Sequence, residues 1–96
     1  MSSVRKGRDI DSALCKKGFH KEIDGRHVLY FLAGSAQIRT MMSHGMLGQT
    51  VNVWLISQMA HQLHLSKSQF LDLIDCPLNE TGYRAILREQ GRGFVQ

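Results

Sequence analysis

Histidine is the one side chain that titrates near neutral pH without special surroundings, and this 96-residue chain has five of them. Three of these, His20, His27 and His44, fall in the first 45 residues among most of the Lys and Arg side chains. A histidine ringed by cations suits attack of a ribose 2′-hydroxyl on its neighbouring phosphate. The imidazole moves the proton, and the cations stabilise the charge that builds on the phosphorane. His27 stands just past an Asp24-Gly25 turn signal and beside Arg26. With Asp24-Gly25 as a two-residue type I′ loop, Ile23 pairs with Arg26 and Glu22 lies opposite His27, where its carboxylate would hold the imidazole in one tautomer. The competing reading of His27 is a surface histidine at a strand end with no chemistry to perform.

The other candidates are weaker. His61 and His64 sit three apart on a helical stretch and could touch one metal, but no third ligand is near them in sequence, so no metal site is expected. His20 either shares a sheet face with His27 or lies on the opposite one. Cys15 and Cys76 belong to no Cys-x-x-Cys pair and read as small buried residues or helix-end positions. Two cysteines in a chain of this length give no disulfide framework, which favours a reducing cytoplasmic setting. Met41, Met42, Met46 and Met59 read as core or loop filler, with a partner surface as the alternative. No Walker loop, dinucleotide glycine pattern or Gly-x-Ser-x-Gly elbow is present, and no cofactor is expected.

Charge points the same way as the histidines. Residues 1–45 hold eight basic and four acidic groups, and residues 46–96 hold four of each, so the first half carries the whole net charge of +4. A basic half beside a neutral half fits a polyanion partner; the bland alternative is a solvated basic face. The longest apolar run, Val28 to Ala33, is far below the roughly 20 residues that cross a bilayer, and the first eight residues lack the apolar segment of a secretory signal. No membrane association is expected.

The elements that must position these side chains follow from periodicity. Ile10, Ala13 and Leu14 recur at helical spacing after two aspartates, predicting a helix from about Asp9 to Lys17 with Gly18 as its left-handed stop. Phe19–Ile23, Arg26–Ala33 and a stretch alternating through Ile38, Thr40 and Met42 read as three strands, with Gly45 and Gly48 marking a loop. From Thr50 a helical stripe runs through Val51, Leu55, Met59 and Leu63, widened by Trp54 and Ile56. Ser66-x-x-Gln69 forms a capping box before Phe70, Cys76-Pro77 ends that helix, and Asn79 caps a last one that Gly91 stops, leaving a tail expected to fray. The order is α-β-β-β-α-α-α, an antiparallel α+β domain.

Read together, Lys16-Lys17-Gly18-Phe19, Gly25-Arg26-His27, Ser43-His44-Gly45 and Leu65-Ser66-Lys67-Ser68-Gln69-Phe70 resemble the HicA family of bacterial toxins, in order and spacing, from about Ile10 to Ile74. The resemblance implies a double-stranded-RNA-binding-like core with an α-β-β-β-α order and a three-stranded antiparallel sheet. It implies a metal-independent endoribonuclease that degrades mRNA, the toxin of a type II toxin–antitoxin pair, neutralised by a HicB-like antitoxin. His27 matches the family's key histidine in a Gly-Ser-His motif, with Arg26 in place of the serine, and His44 matches a second, supporting histidine. On this reading Arg26, Lys16, Lys17, Lys21 and Arg39 contact RNA phosphates, and Glu22 supports His27. Residues 1–96 form one domain, with a core of about 8–65 and a C-terminal helical extension of about 66–90. That extension closes the hydrophobic face, mediates self-association as a homodimer, or binds a partner. The alternatives are a non-catalytic RNA- or DNA-binding module and a partner-docking protein of the same fold.

Overall fold

The computed structural model describes residues 4–91; residues 92–96 of the tail expected to fray lie outside them. The elements in order are β1 (Arg5–Lys6), α1 (Gly7–Lys16), β2 (Phe19–Asp24), β3 (His27–Leu32), β4 (Ser35–Ser43), a 3-10 helix (His44–Gly48), β5 (Thr50–Val51), α2 (Val53–Gln62), α3 (Lys67–Asp75) and α4 (Glu80–Glu89). The protein is α+β. Strands β2, β3 and β4 form an antiparallel sheet in that order, and β1 pairs with β5 as a separate short ribbon.

Alternation along the strands decides which face of the sheet is buried, because successive side chains point to opposite sides. Phe19 on β2, Val28, Tyr30 and Leu32 on β3, and Ile38 and Met42 on β4 are buried. They share one apolar cluster with Ile10 and Leu14 of α1, Ile56 and Met59 of α2, Phe70 and Leu73 of α3, and Tyr83 and Leu87 of α4. All four helices therefore cover one face of the sheet, and α3 and α4 bury side chains in the same core as the strands. The other face is left to solvent.

Local signals explain most boundaries. Gly18 takes φ +95° just after α1, where a left-handed residue ends a helix and glycine carries no Cβ penalty. Ser66 and Gln69 exchange reciprocal side-chain-to-backbone hydrogen bonds as a capping box, and the Asn79 side chain accepts from the Gly82 N–H at 2.8 Å. Cys76 ends α3 in the left-handed region at φ 84°. The structure extends the predicted third strand to nine residues and starts α1 two residues earlier, at Gly7. It also delays α2. Thr50 and Val51 pair with β1 instead of opening a helix, and Asn52 caps α2 by accepting from the Leu55 N–H at 3.0 Å.

An expected core position faces water. Trp54 is 82% exposed, because the buried stripe of α2 runs through Ile56, Met59, Ala60 and Leu63, which leaves position 54 off that face. Cys15 in the last turn of α1 and Cys76 just after α3 are both exposed, at helix ends, the second of the two placements expected for them.

The β1–β5 ribbon fastens the start of α1 to the 3-10 helix. The Gly7 N–H donates to the Gln49 carbonyl at 2.8 Å. A Cβ on Gly7 would fall 1.9 Å from the Met46 carbonyl oxygen, so only glycine permits this approach.

Candidate active site

The open face of the sheet carries three cross-strand rows. Asp24, His27 and Ser43 form the first, Glu22, Leu29 and Met41 the second, and His20, Phe31 and Arg39 the third. His27 is exposed in the first row, and His20 lies on the same face, at its other end.

The hairpin that presents His27 differs from the expected one. Asp24 pairs with His27, so the two loop residues are Gly25 and Arg26. Gly25 has φ +62° and Arg26 is not in the positive-φ region, the pattern of a type II′ turn with glycine at its first central position. Moving the turn by one residue moves the pairing by two. Glu22 consequently lies opposite Leu29, and the carboxylate opposite His27 is that of Asp24. The Glu22–His27 contact expected from a type I′ loop is not made.

His44 begins the 3-10 helix immediately after Ser43, and its backbone N–H donates to the Arg26 carbonyl at 2.6 Å. That bond ties the β2–β3 turn to the end of β4. Ile23, Gly25, Arg26, Ser43, His44 and Gly45 line a shallow cleft of about 350 Å³ there. His27 stands beside this cleft on the open face, outside its lining. The end of the sheet thus brings together His27, Asp24, Ser43, Arg26 and His44.

No protein-family model, curated protein or solved structure matches the chain.

The remaining cations expected at this site are placed elsewhere, with one exception. Arg39 is exposed on the open face, its guanidinium carbon 5.9 Å from the centre of the Phe31 ring. It lies four residues along β4 from Ser43, about 13 Å away along the strand. Lys17 is buried, and its ammonium donates to the Leu73 carbonyl at 2.9 Å and the Leu78 carbonyl at 2.7 Å. Lys21 points to the helical side of the sheet, 2.9 Å from the Asp11 carboxylate. The Tyr30 hydroxyl donates to the same Asp11 oxygen at 2.6 Å, and burial, reinforced by that carboxylate, pushes the phenol well above its ordinary pKa. Lys16 lines a cleft between α1 and α3 with Asp9, Asp75 and Cys76, on the helical layer that covers the sheet's other face. Lys16, Lys17 and Lys21 are therefore not placed around His27, because Lys17 and Lys21 are engaged by partners within the fold and Lys16 belongs to another surface.

The places of Asp24 and Ser43 beside His27 are not legible in the sequence, since the first depends on which residue leads the β2–β3 turn and the second on the β3–β4 register. A Gly followed by a non-glycine at the two loop positions was the available signal for type II′. Among the described residues no three His, Cys, Asp or Glu side chains converge as a metal site.

Proposed function

We propose that the protein is an endoribonuclease that cleaves single RNA strands at the sheet end carrying His27. The observation that carries this reading is the row Asp24–His27–Ser43, flanked by Arg26 and His44 and held by the His44 N–H bond to the Arg26 carbonyl. In this mechanism the His27 imidazole takes the proton of a ribose 2′-hydroxyl. The freed oxygen attacks the adjacent phosphorus, the bond to the next nucleotide's 5′-oxygen breaks, and that oxygen takes a proton from water, to which the His27 imidazolium gives up its own. The products are a 2′,3′-cyclic phosphate and a 5′-hydroxyl. Asp24 orients the imidazole, while Arg26 and His44 contact the phosphate as its charge builds. The helix, three strands and helix running from α1 to α2 are in keeping with a double-stranded-RNA-binding-like core. The resemblance to HicA toxins supplies the biological setting, a toxin restrained by a HicB-like antitoxin that covers the open face.

The test is incubation of the purified chain with a long RNA in EDTA, for wild type and for His27→Ala. Cutting by wild type that is lost in His27→Ala, with an unchanged circular dichroism spectrum, is the expected result. Equal cutting by both proteins removes His27 from the mechanism, and no cutting by either removes the ribonuclease. Co-purification with the product of an adjacent gene tests the antitoxin.

The charge of the face favours a second reading, a binding module that does not cut. Glu22 and Asp24 share the open face with Arg39, so few cations stand there to stabilise the charge of a phosphorane. Salt-dependent RNA binding without cleavage would single it out.

A further inference from the structure

We infer that the groove beside β4 is a subsite for an unpaired nucleobase of the RNA strand, a reading that rests on the open face being the RNA surface. The groove holds about 480 Å³ and runs between the outer side chains of the sheet and the end of α2. Leu29 and Met41 give it apolar walls, and Gln37, Arg39, Gln62 and His64 give it polar ones. That volume lies within the range of small-ligand clefts, and apolar walls with a few directed polar groups are what a flat, hydrogen-bonding base requires.

Three features of the chain shape this groove. The first is the break in pairing between Phe31↔Arg39 and Leu32↔Ser35. It inserts extra residues into β4 just before Gln37, which shares the open face with Arg39 and Met41. Bulges of this kind re-aim side chains and are enriched next to functional sites. The second is Gln62, whose side-chain carbonyl accepts from the Thr40 hydroxyl at 2.6 Å. Its oxygen being engaged there, the amide NH₂ is what Gln62 offers as a donor to a base edge. The third is His64. It occupies the residue after the α2 C-cap at φ 64°, within a pair of closing bonds from the His64 N–H to the His61 carbonyl at 3.0 Å and from the Leu65 N–H to the Ala60 carbonyl at 2.9 Å. Glycine is the residue that position favours, and a side chain there costs backbone strain. The strained position places an imidazole in the groove wall, where it can stack on a base.

Arg39 joins the two sites. Its guanidinium lies over Phe31 and also lines the groove, so it can stack on a base face or meet the phosphate between nucleotides. Met41 is one row from the His27 row and Arg39 two rows from it. A base held in the groove therefore belongs to a nucleotide close to the scissile bond, and the subsite selects single strands over duplex, whose bases are stacked away.

Fluorescein-labelled homopolymers of each base and a matching duplex, titrated with full-length His27→Ala protein, test this without turnover. Single strands are expected to bind more tightly than duplex. Arg39→Gln and His64→Gly are each expected to weaken single-strand binding about tenfold. Glycine suits the left-handed position, so His64→Gly keeps the fold. Equal affinity for single strand and duplex, or no loss in either variant, overturns the subsite. So does a dimer formed along β4 that both variants abolish without altering RNA affinity. Groove-dependent binding of single strands by a protein that cuts nothing leaves the subsite standing and removes the ribonuclease. Cleavage that needs His27 but is indifferent to both groove variants does the reverse.

Discussion

The Lys17 ammonium and the Leu73 carbonyl oxygen lie 2.9 Å apart, and the same ammonium donates to the Leu78 carbonyl at 2.7 Å. Leu73 is in the last turn of α3, where carbonyls have no partner within the helix and a cation complements the helix dipole. The residue that closes α1 thus caps a helix that begins fifty residues later in the chain. Lys17→Met keeps the aliphatic stem and leaves two carbonyls without their donor. Urea melts are expected to show a loss of about 2 kcal/mol with an unchanged slope. Unchanged stability combined with weaker RNA binding would return Lys17 to the RNA surface.

The carboxylate that matters to His27 is expected to be Asp24. Asp24→Asn should lower the rate of RNA cutting by about tenfold or more, while Glu22→Gln, opposite Leu29, should leave it near wild type. Initial rates on one RNA under the same conditions decide the matter. The reverse order of effects would mean that the hairpin pairs in the other register.

Gly7→Ala forces a methyl group against the Met46 carbonyl, 1.9 Å from the Cβ position. A destabilisation of about 1–3 kcal/mol is expected, as for overpacked cores. The 3-10 helix must shift to make room, and His44 starts that helix. Thermal melts read the first effect. Amide chemical-shift changes spreading from Met46 to His44 would show the second, and shifts confined to α1 would argue against it.

Acid should weaken the molecule at Asp75. Its two carboxylate oxygens accept from Arg5, and those bonds hold its pKa below the ordinary 3.8. A carboxyl depressed on folding adds stability that is fully present above the ordinary value and disappears as the pH falls through the lower, folded one. Wild type should therefore lose more stability than Asp75→Asn between neutral pH and that range. The pair is solvent-exposed, so the difference should be small and should shrink in high salt. Parallel acid titrations of the two proteins would contradict this.

The sequence made visible whatever is decided within a few residues. Alternation through Ile38, Thr40 and Met42 marked a strand with one buried face, Gly18 marked the end of α1, and Ser66-x-x-Gln69 and Asn79 marked helix starts. It concealed whatever depends on distant neighbours. Lys17 and Lys21 look like any other surface cations until α3 and Asp11 are seen beside them, because burial of a long polar side chain is settled by tertiary partners. The partner of His27 hung on a single choice, whether Gly25 leads or follows in its turn. The groove at His64 joins a strand to a helix end more than twenty residues away from Arg39, and no local pattern announces it.

The short β1–β5 ribbon also bears on synthesis. Arg5 pairs with Val51, and the Gly7 N–H waits for Gln49. A growing chain makes its first strand early but cannot close it until residue 51 has left the ribosome, and the Arg5–Asp75 bonds come later still. The three-stranded sheet, complete at residue 43, emerges before either closure. On the ribosome, the face that carries His27 precedes the clamp that steadies His44, so the nascent chain passes through a stage in which the hairpins exist and the site is unfinished.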